Sequence, residues 1–278
     1  EDGIRRGKQV IVPETIQINL IGDLPNGVFA RDIILDYIGQ IGEDGANYKS
    51  LEWTGTQASK LSIDSRACIA NASMECGSKN ASFAVDDTTL NFIEENGLKP
   101  QYIINPGIKA EYIDKFEIEC SKLEPVVTGP DQVDKVRTTD ELSSIEIDQA
   151  FIGSATNGRI EDLQMAAHVL SNHKVKDGTR CIITPASRSV YEEAIRRGYV
   201  ETFMKAGAVF TNPTCGACVG THLGILGENE ISIASSSRNF VGRMGAFSSK
   251  IYLASPATVA ASAVEGRVAD PRRYFNNV

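Results

Sequence analysis

The sequence contains no run of about 18 uninterrupted apolar residues, the length a helix needs to cross a bilayer. Its opening residues, Glu1-Asp2-Gly3-Ile4-Arg5-Arg6-Gly7-Lys8, also lack the apolar stretch of a secretory signal. A cytoplasmic protein with no membrane partner is expected. Cysteine is sparse, six in 278 residues, too few for a disulfide scaffold. Positive charge is in deficit: 28 Lys and Arg against 36 Asp and Glu give a formal charge of −8. Binding of nucleic acid without regard to sequence depends on basic groups that neutralise phosphates, so no nucleic-acid partner is expected. Histidine is scarcer still, with His168, His173 and His222 the full set, which limits imidazole acid–base chemistry. No repeat at solenoid spacing is present.

What is there is ordinary globular material, 42% hydrophobic and 23% charged, and enough chain for two medium domains. From Val10 to Leu20 the text alternates, with Ile16, Ile18 and Leu20 on one side, as a half-buried strand does. Ile33, Ile34, Tyr37, Ile38 and Ile41 then recur at helical spacing behind Asp32, and Gly42 is a plausible stop. A strand near 51–54 precedes a helix capped by Ser62 or Asp64 and ended by Gly77. Residues 81–85 read as a strand, and Asp86-Asp87-Thr88-Thr89 opens a helix that closes at Gly97. The stretch 100–144 mixes prolines and charges without a sustained period. From Ile145 onward, strand, turn and helix repeat: 147–152 then 159–170, 180–184 then 187–197, 208–211 then a cysteine loop, and strands at 231–234 and 251–254 before a helix from Pro256. Such alternation predicts an α/β protein with mainly parallel sheets flanked by helices. The expected division is an α/β domain over 1–105, a connecting segment over 106–144 and a second α/β domain over 145–278.

In a parallel sheet, ligands gather beyond the carboxyl ends of the strands, so three loops stand out. Gly153-Ser154-Ala155-Thr156-Asn157-Gly158 leads from a strand into a helix, where free N–H groups make an anion site or merely a tight connection. Asn212-Pro213-Thr214-Cys215-Gly216-Ala217-Cys218 can aim two sulfurs at one centre; a redox dithiol, half of a zinc site and part of an iron–sulfur site all remain open. The other four cysteines, Cys68, Cys76, Cys120 and Cys181, read as buried thiols. Ser235-Ser236-Ser237-Arg238-Asn239-Phe240-Val241-Gly242-Arg243 carries two arginines five apart, suited to a carboxylic acid or to surface ion pairs.

Taken together, Gly-Ser-x-Thr-Asn, Cys-x-x-Cys and Arg-Asn-Phe-x-Gly-Arg resemble the aconitase superfamily, and the surrounding text is closest to isopropylmalate dehydratase and homoaconitase large subunits. Val12-Pro13-Glu14-Thr15-Ile16, Asn71-Ala72-Ser73-Met74-Glu75 and Ile183-Thr184-Pro185-Ala186-Ser187 share the resemblance, which runs over nearly the whole chain. It implies two aconitase-like α/β domains, the second and third of the family, in a hydro-lyase that dehydrates and rehydrates a hydroxy di- or tricarboxylic acid in amino-acid (leucine) biosynthesis. It also implies a [4Fe–4S] cluster whose open iron acts as a Lewis acid. Cys215 and Cys218 match two of the three ligands, and Ala155 stands at the third. Arg238 and Arg243 match arginines that engage the substrate, and Ser237 stands where an asparagine is usual. Asn71 matches an amide near the cluster, and Glu75 a carboxylate that pairs with an active-site histidine; both are the implied catalytic residues. The implied partners are a small, swivelling-domain subunit and a chain supplying the family's first domain, whose acid–base groups come from that separate chain, lie on a segment not present in this sequence, or do not exist. Ala155, Ser237 and the missing first domain also fit a cluster-free paralogue serving as scaffold or regulatory subunit.

Overall fold

The computed structural model describes residues 11–275. The first sheet is built from β1 (Thr15–Ile21), β2 (Ser50–Thr54), β3 (Asn80–Phe83) and β4 (Asp114–Glu119), all parallel, in the order β3-β2-β1-β4. In β1 the expected alternation appears as burial of Ile16, Ile18 and Leu20, and the start proposed at Val10 lies outside the described residues. Helix α1 (Ala30–Ile41) follows: Asp32 accepts from the Phe29 amide at its first turn, and Gly42 closes it. Helices α2 (Thr56–Lys60) and α3 (Ile63–Ala72) come after β2. The Ser62 hydroxyl accepts from the Ser65 amide and caps α3, which tightens into a 3₁₀ turn over Ser73–Cys76 and stops at Gly77 in the left-handed conformation. Asp86 caps α4 (Asp87–Glu95) in the same way.

The segment expected as a connection supplies strands to both sheets. β4 completes the first, while β5 (Val126–Thr128) and β6 (Val136–Thr138) form the antiparallel edge of the second. That second sheet adds β7 (Gln149–Gly153), β8 (Arg180–Thr184), β9 (Val209–Phe210), β10 (Ile231–Ala234) and β11 (Lys250–Ala254), in the order β6-β5-β11-β10-β7-β8-β9. Its five later strands are parallel. The intervening helices are α5 (Ser154–Asn157), α6 (Ile160–Leu170), α7 (Arg188–Arg196), α8 (Tyr199–Ala206) and α9 (Pro256–Glu265). Among the described residues no helix is long and apolar enough to cross a membrane.

Packing decides how the two sheets meet. One face of the second sheet is sealed by a cluster that includes Leu163 and Val169 of α6, Phe203 of α8 and Val259 of α9. Its other face shares a continuous core with the first sheet: Ile33, Ile34 and Ile38 of α1 belong to the same cluster as Ile18, Trp53, Phe151 and Leu253. Helix α1 is therefore the common wall. Edge-on contacts of Tyr37 with Trp53 and Phe116 fill the core beneath the first sheet.

Strand order fixes where a site can form. In the second sheet the chain moves from β7 outward to β8 and β9, then returns to place β10 on the other side of β7. The loops after β7 and β10 thus leave in opposite directions and open a crevice between them, the usual ligand position in such sheets. Gly153 ends β7 with φ +135°, and a Cβ there would stand 2.0 Å from the Thr184 carbonyl oxygen, so only glycine fits. Ser154 follows in the left-handed region at φ +67°.

Candidate active site

Five consecutive residues after β10 are tied down. The Ser235 hydroxyl accepts from the Gly153 amide at 3.0 Å, joining the two sides of the crevice. The Ser236 carbonyl accepts from Arg31 Nη2 at 2.7 Å. The Ser237 and Thr156 hydroxyls are 2.5 Å apart, and Thr156 donates to Asn71 Oδ1 at 3.2 Å, which makes Ser237 the donor to Thr156. Arg238 Nε donates to both Glu75 oxygens, at 2.9 and 3.2 Å. The Asn239 amide donates to the Gln132 carbonyl at 3.2 Å.

The sequence-derived residues thus fall into two groups joined through neighbouring loops. Asn71, Glu75, Ser237 and Arg238 form one: α3 and its 3₁₀ extension bring Asn71 and Glu75 to the β10 turn. Glu75 is paired with Arg238 rather than with a histidine. His168 instead bonds the Tyr274 carbonyl and stacks on Phe275, His173 bonds the Ser171 carbonyl, and His222 bonds Thr214. Cys215, Cys218 and Arg243 form the second group. Arg243 Nε donates to the Cys218 carbonyl at 2.9 Å and its Nη2 lies 3.7 Å from the Cys218 sulfur, so it braces the cysteine loop. Cys215 is exposed and Cys218 is 8% exposed, on a 3₁₀ turn over Gly216–Val219.

Ala155 is exposed at the head of the β7 loop, between Ser154 and the Thr156 hydroxyl. Among the described residues no group of three His, Cys, Asp or Glu side chains is placed to hold a metal ion. Two thiols and a methyl do not fit the three-sulfur set that the motif resemblance implies, because a methyl has no lone pair to donate. The other four thiols are no substitute: all are buried, and burial pushes Cys68 and Cys181 up to about 12, and Cys76 and Cys120 up to about 11.

An open cleft of about 430 Å³ lies beside the Arg238–Glu75 pair, also lined by Glu43, Asp44, Asp131 and Phe240. Four carboxylates against one guanidinium give it net negative charge. Asn157 of the first loop motif, together with residues that sequence reasoning passed over, completes the joint between the lobes. Asn157 donates to Asp162 at 2.9 Å and lies 3.2 Å from the Cys68 sulfur, and Glu161 accepts from Ser62 and Ser65 at 2.5 and 3.0 Å. Arg31 is the least expected. The signal for it was a charge at the start of the apolar stripe Ile34, Leu35 and Ile38, at the i+3, i+4 and i+7 spacing that faces a core.

A model of the aconitase family (aconitate hydratase) matches residues 7–144 and 135–266. The 3-isopropylmalate dehydratase large subunit of Caldicellulosiruptor bescii is 48% identical over 261 residues, covering 94% of this chain and 61% of the relative. The 3-isopropylmalate dehydratase large subunit 2 of Archaeoglobus fulgidus is 46% identical over 265 residues, covering 95% of this chain and 64% of the relative. The chain therefore spans about three-fifths of the length of these curated relatives. A crystal structure of Thermococcus kodakaraensis aconitase X (holo-form) aligns with 82% of this chain and 49% of that chain, at 12% identity and a TM-score of 0.44.

Proposed function

The chain belongs to the aconitase family, and we propose that it forms the later part of a hydro-lyase large subunit of the 3-isopropylmalate dehydratase type, carrying the acid-binding turn and the cysteine loop. The substrate class is a hydroxy di- or tricarboxylic acid, of the 3-isopropylmalate or homoaconitate kind. The observation that carries this reading is the state of Arg238. Its side chain is 50% exposed, and only Nε is engaged, by Glu75, while the Nη atoms make no hydrogen bond to the described residues. A guanidinium edge presented in this way accepts a carboxylate through two parallel N–H···O bonds. Ser237, donating to Thr156, keeps its lone pairs for a substrate hydroxyl. Asn71 orients Thr156 and, through it, Ser237. The acid–base groups belong to the family's first domain and to a small partner subunit that closes over the site.

We further propose that turnover by this sequence is impaired. The donor set of Cys215, Cys218 and Ala155 does not fit a three-sulfur [4Fe–4S] site. Ala155 and the negative cleft beside Arg238 also support a second reading, a cluster-free paralogue that acts as scaffold or regulatory subunit.

Two measurements separate these readings. Anaerobic incubation with iron and sulfide is expected to leave the chain substoichiometric in iron, whereas Ala155→Cys approaches about four irons per chain. A stable brown protein without the substitution removes the proposed impairment, and a colourless Ala155→Cys variant removes the assignment of that corner. In a calorimetric titration with citrate, Arg238→Ala should weaken binding by about tenfold or more, the scale of a charge-assisted pair. Absence of citrate binding by the unsubstituted chain leaves the scaffold reading.

A further inference from the structure

The turn at Ser236-Ser237-Arg238 is held from outside its own sheet. Three consecutive residues are gripped by side chains of the first lobe: Arg31 on the Ser236 carbonyl, Asn71 on Ser237 through Thr156, and Glu75 on Arg238. Asn71 and Glu75 belong to the motif set that carries the acid-binding reading. Arg31 does not.

Arg31 is 1% exposed, in the first turn of α1 where that helix forms the wall between the lobes. Among the described residues its Nε and Nη1 atoms have no partner, and Nη2 makes the one hydrogen bond they offer it. Burying a guanidinium with most of its donors unused is costly. A methionine or leucine would fill the same space without that cost, so packing does not account for the residue. Burial lowers the guanidinium from its ordinary value, and the nearby acidic groups of Glu75, Asp32 and Asp162 oppose that shift. A narrow cavity lined by Arg31, Cys68, Asn157 and Asp162 has room for about one water and not for a larger ligand. The bond to Ser236 is what remains to explain the charge.

We propose that Arg31 is a positioning residue for the acid-binding turn. Its guanidinium fixes the Ser236 carbonyl from beneath, and with the Glu75 pair above it sets where the Arg238 edge points. The buried cation also biases the turn toward anions. This inference rests on the reading of Arg238 as the acid-binding residue.

Amide hydrogen exchange on the ligand-free chain tests it. Arg31→Met keeps the bulk and removes the donor; exchange at the Ser235 amide, which donates to the Phe151 carbonyl at 2.9 Å next to the held residue, should accelerate by about ten- to a hundredfold, the scale of one hydrogen bond to a charged group. Amides of β7 and β8 should be unchanged, and Arg31→Lys, which keeps one cationic donor, should restore part of the protection. Unchanged exchange at the turn overturns the proposal, and so does a uniform rise across the chain, since a purely structural role predicts that. If Arg31→Met fails to fold, Arg31→Lys alone decides: intermediate acceleration confined to the Ser235 amide supports the proposal and no local change overturns it. Citrate calorimetry on the same proteins keeps the two readings apart. No citrate binding by the unsubstituted chain removes the acid-binding reading, while the exchange pattern still decides what Arg31 holds.

Discussion

Two buried carboxyls flank the joint between the lobes. Asp32 accepts from the Phe29 and Val126 amides at 2.9 and 3.2 Å, and Asp162 accepts from Asn157 and the Arg159 amide, both at 2.9 Å. These bonds favour the charged form, but burial outweighs them and pushes both groups up to about 7. The unfolded value is about 3.9, so the folded state holds the proton more tightly. The stability this contributes is complete below about pH 3.9 and is lost as pH rises through about 7. Asp162→Asn has no proton to lose. The stability difference between the unsubstituted chain and Asp162→Asn, measured by urea unfolding, should therefore shrink steadily from about pH 4 to about pH 7. A constant difference would mean that Asp162 stays ionised throughout.

Helix α3 orients the site, and its cap is also its mooring. The Ser62 hydroxyl accepts from the Ser65 amide at 3.1 Å and donates to Glu161 of α6, so one side chain both starts α3 and fastens it to the second lobe. Ser62→Ala should cost about 1–2 kcal/mol: about 1 for the cap and the rest for the lost bond to Glu161, which Ser65 partly retains. Thermal unfolding reads the loss. A loss under about 0.5 kcal/mol would show that the Asp64–Arg159 pair holds the helix start without Ser62.

The shared core makes a statement about the whole molecule. Because α1 contributes to one cluster that spans both sheets, neither lobe can unfold without exposing the apolar surface of the other. Trp53, the sole tryptophan, lies fully buried on β2 and reports on the first sheet, whereas circular dichroism reports on all helices and strands. Urea transitions followed by the two signals should coincide. Separated midpoints would show that the lobes unfold independently and that the crossing between them at residues 120–125 is a true domain boundary, near the middle of the connection proposed over 106–144.

Legibility in the sequence followed local physics. The alternation in β1, the caps at Ser62 and Asp86, the stop at Gly42 and the burial of Cys68, Cys76, Cys120 and Cys181 are all set by a few adjacent residues, and each is found in the fold. The three loop motifs were also readable, because their chemistry lies in contiguous text. Strands β4 to β6 were not, since short polar edge strands have no period of their own and exist through their partners. Helices α2, just before α3, and α8, just after α7, are likewise too short to declare themselves beside their longer neighbours.

The sequence by itself determined the family resemblance, the α/β class and the vacancy of a sulfur at Ala155, because each depends only on which residue stands where. Tertiary structure alone decided that Glu75 faces Arg238, that Arg243 braces Cys218 and that Arg31 lies beneath Ser236. Those pairings join residues 163, 25 and 205 positions apart. The first and third arise where α1 and the extension of α3 pack against the loop after β10, the second where the loops after β9 and β10 meet, and hydrogen bonds of a few ångströms are fixed by that packing, which local sequence does not specify.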